Sequence, residues 1–229
     1  MEQRYSIRDG LGFCRFERRT IILDIAADRY WQLDEDAGKA LEALGTGSMA
    51  GISERALARL VTLGFLAPVL HESGRTEDLA TSRSTPLPPP SSSALEQPAM
   101  EGCLEWGTAC EVAALAIAAR LALRRWPLKT ILDQLKELRR RTRAPRTPTS
   151  LEEEAQSFWR CRRLVPLQPL CLPDSVAFVR FAMRRGHAPH IVFGVEAFPF
   201  TAHCWVQDGS VVLTDALDHA NRFKPILVL

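Results

Sequence analysis

Hydrophobic and polar positions along the chain fall into two periodic regions separated by one without a period. In the first, "GFCRFERRTIILDIAADRYWQL" (12–33) alternates and then runs apolar, with "TIILDI" rich in β-branched residues and "DRYWQL" after a two-alanine break. This pattern predicts a small antiparallel sheet of about three strands. The period then changes. "DEDAGKALEAL" opens on Asp34, a residue type that caps helix N-termini, and places acids in the first turn, where the helix dipole favours them. Ser53 is positioned to cap a second helix, "ERALARLVTLGFL", with Leu57, Leu60, Val61 and Phe65 along one face. Strands followed by helices predict a small α+β unit over residues 1–70.

Residues 71–100 differ in composition. "TSRSTPLPPPSSSALEQP" has little to bury and predicts a linker. Helical periods return at 104–124 and 127–141. The second of these ends in "LRRRTRAPRTPTS", where basic residues complement the dipole and prolines stop the helix. That basic run reads first as a solvated helix end, and second as a docking patch for an acidic partner. After Cys171, the apolar residues Leu172, Val176, Val179 and Met183 trace a helix face. Pro173 belongs in a first turn, so this helix begins at about residue 172, and Gly186 suits its C-terminal stop. "HIVFGVEAF" and "TAHCWVQ" read as strands, with "DG" and "SVVLTD" completing a hairpin. The fold class is α+β, and residues 101–229 form the second domain.

Composition narrows the function. The chain has 229 residues, with 29 basic and 27 acidic side chains and a net charge of +2. That balance gives no support for a nucleic-acid partner. Six cysteines contain no CxxC pair, which removes zinc-ribbon and redox-motif spacings. "MEQRYSIRDG" has no apolar signal region, so the expected location is cytoplasmic, with reduced thiols. "ACEVAALAIAARLAL" carries Glu111 and Arg120 and predicts a buried helix, not a membrane anchor.

One cysteine stands apart. Cys171 falls at a helix N-terminus, where exposed N–H groups and the dipole favour a thiolate. Cys14, Cys103, Cys110 and Cys161 read as small buried hydrophobes. His203, on the following strand, is the candidate base. Cys204 points to the opposite face of that strand, so it is not an alternative nucleophile working with His203. Asp215 is the candidate acid. A two-residue Asp208–Gly209 turn would carry it away from His203. A three-residue turn at 207–209, with Gly209 left-handed, would set it diagonal to His203, so the longer turn is expected, with Asp218 as the fallback acid. In this scheme Cys171 attacks a carbonyl, His203 moves the proton and Asp215 orients the imidazole. The Cys171 N–H, and more weakly the Gln168 amide, would face the oxyanion. His187 and His190 with Cys171 and His203 could be drawn as a zinc site, but no regular element aligns them, so neither metal nor cofactor is expected. A Cys–His–acid order suits both cysteine proteases and transglutaminases.

"CLPDSVAFVRFAMRRGHAPHIVFGV…PFTAHCWVQDGSVVLTD" resembles the leader peptidase of lasso-peptide biosynthesis. The resemblance rests on Cys171-Leu172, Gly186, Gly194-Val195, Ala202-His203-Cys204-Trp205-Val206 and Asp215. Cys204 and Gln207 depart from the residues common there. The N-terminal 70 residues resemble, less specifically, the winged-helix peptide-recognition element of ribosomal-peptide pathways. The resemblance implies a winged-helix-like recognition domain fused to a transglutaminase/papain-like cysteine protease domain. It further implies a precursor peptide held by its leader as an added strand, and an ATP-dependent macrolactam cyclase of asparagine-synthetase type as partner. If "DRYWQL" is the accepting edge, Tyr30, Trp31 and Leu33 with Arg55 and Arg59 would meet the leader. A non-catalytic peptide scaffold and an acyl transferase are the competing readings.

Overall fold

The computed structural model describes residues 5–48, 51–68, 87–98, 105–143 and 149–229, and the chain divides into two units between Ser84 and Thr85. In the first unit, β1 (Tyr5–Ile7) is followed by a meander of β2 (Leu11–Phe16), β3 (Arg19–Asp24) and β4 (Arg29–Leu33). Ile22 pairs with Phe13 on one side and Trp31 on the other. Two helices follow, α1 (Glu35–Gly45) and α2 (Glu54–Thr62), before β5 (Leu66–Pro68) returns antiparallel to β1. Both expected caps form. Asp34 accepts the Ala37 N–H and Ser53 accepts the Ala56 N–H, removing orphan donors at each helix start.

The core of this unit contains Ile22, Leu33, Leu41, Leu60 and Phe65. Val61, expected beside Leu60, is 38% exposed. The helix stops at Thr62, so Phe65 enters the core from the β5 approach rather than from the helix face.

The second unit contains β6 (Ser92–Ser93), then α3 (Trp106–Arg125), α4 (Leu128–Arg141), α5 (Leu151–Arg162) and α6 (Cys171–Arg184). After these come β7 (His190–Ala197), β8 (Phe200–Asp208), β9 (Val211–Val212), α7 (Leu217–Asn221) and β10 (Lys224–Val228). Its sheet runs β10-β7-β8-β9-β6. The linker expected over 71–100 is corrected in its second half. Ser92 and Ser93 pair in parallel with Val211 and Val212, and Gln207 Nε2 donates to the Pro88 carbonyl. Ser92 and Ser93 form a two-residue edge strand just after the proline run. Residues 71–86 and 99–100 of that expected linker, and Cys103, lie outside the described residues.

α5 is the helix that the pattern reading leaves unassigned. Its start is a full capping box between Ser150 and Glu153. It brings Phe158 against Phe178 and Phe181 of α6, with both ring pairs 5.3 Å apart. α3 has the length and mean hydropathy, 1.4, of a membrane span by composition alone. Val112, Leu115, Ala116, Ala119 and Ala122 are buried, and the helix packs on α5 and α6. The expected burial holds on one face only, since Ile117 and Leu121 are exposed.

α6 begins at Cys171 and stops as expected. Gly186 adopts φ 88°, its N–H binds the Met183 carbonyl, and the His187 N–H binds that of Ala182. This is the doubly bonded glycine stop that a left-handed residue permits.

Candidate active site

Cys171 is the first residue of α6 and is exposed to solvent. Its position is fixed from below by a buried ion pair. Arg162, 1% exposed, donates from Nε to Asp174 Oδ1 at 2.8 Å. Arg162 also binds the carbonyls of Leu167 and Gln168, and Asp174 Oδ2 accepts the Leu170 N–H at 3.0 Å. One buried pair thus ties the segment before the nucleophile to the helix that carries it. Gln168 itself is exposed, and the bond that anchors it is through its backbone.

β8 brings the base. Ile191 exchanges both backbone hydrogen bonds with Leu229, so the odd residues of β7 face β10 and the even ones face β8. Register then directs Thr201, His203, Trp205 and Gln207 inward to β7 and the even residues of β8 to its outer side. On that side the Val206 N–H meets Thr214 Oγ1 at 2.8 Å, and the Cys204 N–H bonds to Cys171. Along β8, β9 pairs with Gln207 and Asp208, and the Leu213 N–H reaches the Val206 carbonyl. Cys171 therefore sits against a stretch of β8 edge that no strand covers among the described residues, and there it reaches both His203 and Cys204. The main-chain groups of Ala202 face the same edge.

Asp215 completes the triad by a route different from the expected turn. The register is Asp208↔Val211, around Gly209 at φ 52° and Ser210, and is neither of the two turns weighed above. Continued, it would oppose His203 to an even residue and turn Asp215 away. The ladder stops instead. The Thr214 hydroxyl takes the Val206 N–H in place of a backbone partner, and the chain bends. Ser93 Oγ then donates to the Asp215 carbonyl at 2.6 Å. His203 Nε2 lies 2.5 Å from Asp215 Oδ2, which leaves His203 Nδ1 for Cys171. Asp218, the fallback acid, is exposed on α7. Beneath the imidazole, Gly194 pairs with His203. A Cβ there would stand 2.6 Å from the Trp205 ring and 2.8 Å from Phe223 Cβ, so both aromatics pack where only glycine leaves room.

Electrostatics favour the ion pair. The Cys171 thiol is lowered to about 4. The side-chain interaction with Cys204 is the largest cause; burial opposes it, and the hydrogen bond with His203 adds to it. Burial would depress His203, but the hydrogen bonds of Asp215 and Cys171 outweigh it and raise it to about 9. Asp215 is held below the ordinary carboxylate range, because hydrogen bonds from His203, His219 and the Ala216 N–H outweigh its burial. At neutral pH the site is a thiolate facing an imidazolium. Cys204, 4% exposed, is pushed well up by its interaction with Cys171 and by burial, so it stays a thiol, and its Sγ also lies 3.8 Å from Ser175 Oγ. Its strand position agrees with the period of 2. It does face away from His203, toward α6, and that is where the nucleophile stands.

The leader-contact candidates are divided. Trp31 is exposed on the β4 edge, with its ring 5.8 Å from Phe65. Tyr30 is half-buried and Arg55 exposed. Leu33 is 2% exposed in the core, because it follows Trp31 by two on a strand whose inner face ends there; this removes it as a contact residue. Arg59 is ion-paired with Asp34. His190 Nδ1 lies 2.9 Å from Arg139 Nη1, in a contact of its own. Among the described residues, one group with ligand atoms close enough for a metal is His203, Asp215 and His219. Those atoms are already bonded to one another.

The model of the transglutaminase-like superfamily matches residues 113–228, a span that holds Cys171, His203 and Asp215. No curated protein and no solved structure matches the chain. That superfamily includes cysteine proteases and acyl transferases, the two chemistries open to an activated thiolate. With more than half of its length matched, the chain belongs to the transglutaminase-like superfamily.

Proposed function

We propose that the protein is a cysteine endopeptidase that binds the leader of a ribosomally made precursor peptide and hydrolyses the leader–core bond, the role of the leader peptidase in lasso-peptide biosynthesis. The observation that carries this reading is the Cys171 thiolate beside an uncovered edge of β8. Main-chain groups on a strand edge bind extended peptide of any sequence, and Ala202 presents both kinds next to His203. A peptide strand there sets its carbonyl at the nucleophile. Cys171 Sγ forms a bond to that carbon, and the oxyanion meets the unpaired N–H groups at the start of α6. His203 gives its proton to the leaving amine, which departs as the C–N bond breaks. The imidazole then takes a proton from water, whose oxygen displaces Cys171 from the thioester.

In this reading the first unit is the winged-helix-like recognition element. Its β4 edge, with Trp31 and Tyr30, accepts the leader, and Arg55 lies within reach of leader acids. Tethering raises the local concentration of the scissile bond. The freed core amine passes to an ATP-dependent macrolactam cyclase in the cytoplasm, and the peptidase itself uses no cofactor. An acyl transferase would form the same thioester and deliver it to an amine.

Mass spectrometry of the precursor incubated with wild type and Cys171→Ala, with and without the cyclase, decides among these. Two fragments whose masses sum to precursor plus water, from wild type only, support the peptidase. A new amide mass supports acyl transfer. Equal maturation with both proteins supports a scaffold and overturns the proposal.

A further inference from the structure

The carboxylate that orients His203 is itself held by a second histidine. Asp215 Oδ2 lies 2.5 Å from His203 Nε2 and 2.7 Å from His219 Nδ1, while Asp215 Oδ1 accepts the Ala216 N–H at 2.8 Å. His219 lies on α7, four residues beyond Asp215, which precedes the Ala216 N-cap of that helix. The two imidazoles touch each other, with ring centres 4.7 Å apart. Both pack on Phe223, at 4.9 and 5.3 Å. α7 is anchored at its start, where the Leu217 N–H binds Glu96 Oε1 at 3.2 Å and Ser93 holds the Asp215 carbonyl. The mechanism above uses Cys171, His203 and Asp215 and leaves this fourth side chain without a task.

We propose that His219 is a positioning residue of the catalytic network: its Nδ1–H holds the Asp215 carboxylate in the orientation that serves His203. A carboxylate bonded only by His203 and its neighbour's N–H can swing about its last side-chain torsion, which is broad and shallow. A second donor on the same oxygen closes that freedom. The other groups about His219 are consistent with such a role. Phe223 supplies an apolar wall, Asp218 on the same short helix is exposed, and Arg222 is occupied with Glu196. His219 is 43% exposed on its side chain, against 17% for Asp215, so the clamp stands between the buried acid and solvent.

The inference rests on the triad assigned above, and its test separates the two. Asparagine places an amide N–H where the imidazole carries Nδ1–H, whereas phenylalanine keeps the ring and removes the donor. The rate of Cys171 alkylation by iodoacetamide against pH, read on the full-length chain, reports the ion pair without any peptide substrate. Precursor cleavage adds kcat and KM, and thermal melting confirms that each variant is folded. His219→Phe is expected to lower kcat about tenfold, one missing hydrogen bond, with KM unchanged. It should also move the upper inflection of the alkylation profile down from about 9. His219→Asn is expected to retain wild-type values in both assays. Retention in both variants, or loss in the asparagine variant, overturns the proposal. If the precursor is not cut by any form, the peptidase reading fails, and the alkylation profiles still decide the role of His219.

Discussion

Each unit presents a strand edge, β4 in the first and β8 in the second, and the two edges differ in what stands beside them. On β4 are an exposed tryptophan and a half-buried tyrosine, and beyond its end Arg59 pairs with Asp34. Among its described residues the first unit has no histidine, and its one cysteine, Cys14, is 7% exposed. Next to β8 are Cys171, His203 and a buried thiol. Among the described residues the first edge has neither a thiolate nor an imidazole beside it. The second has a nucleophile whose thiolate is favoured by donors from two directions. The difference teaches how an unremarkable backbone feature acquires chemistry: by whatever side chain a neighbouring helix delivers to it.

That contrast can be broken at several points. Cys171→Ala should reduce cleavage by on the order of 10³-fold or more while leaving leader affinity at the wild-type value, measured by fluorescence anisotropy with labelled leader. Asp174→Ala should strand the Arg162 guanidinium in the second unit, at a cost of about 3–5 kcal/mol. Urea denaturation should show this loss, with the signal of Trp31 in the first unit unaffected. Cys204→Ala removes the largest cause of the Cys171 depression, so the lower limb of the alkylation profile should move up from about 4, with little change above neutrality. Cys204→Ser, which keeps a donor, should move it less. The smallest effect belongs to the first edge. Trp31→Ala should raise KM by at most about tenfold and leave kcat alone.

Much of the first unit was legible because its elements are local. Alternation set the meander, and Asp34 and Ser53 marked the helix starts. What failed there was fine: the helix face drifted at Val61, and Leu33 was placed on the edge although period 2 puts it with Trp31 on one face, the inner end of which is core. The second unit was legible where one residue decides matters, as with Pro173, Gly186 and the place of Cys171 at the start of α6. It was less legible where side chains replace backbone. Nothing in a hairpin pattern announces that Thr214 will end a ladder by binding the Val206 N–H, and that substitution is what delivers Asp215. The segment at 87–98 was hidden by its composition, since the two-serine strand follows a proline run that reads as linker. The Ser150–Glu153 box was a readable signal for α5 that the apolar pattern alone did not supply. Cys204 was placed on the correct face, and its contact there with Cys171 and Ser175 of α6 is tertiary and outside what strand period shows.

The central claim is that Cys171 is a thiolate at neutral pH because His203 and Cys204 make it one. Its most direct test is the rate of Cys171 alkylation by iodoacetamide from pH 3 to 10, followed by intact mass and peptide mapping. Below its depressed pKa the thiol protonates and the rate falls, so the account predicts a lower inflection near 4 and substantial reactivity at pH 6. A single inflection in the ordinary thiol range, about 8.5, with an unreactive Cys171 at pH 6, would contradict it.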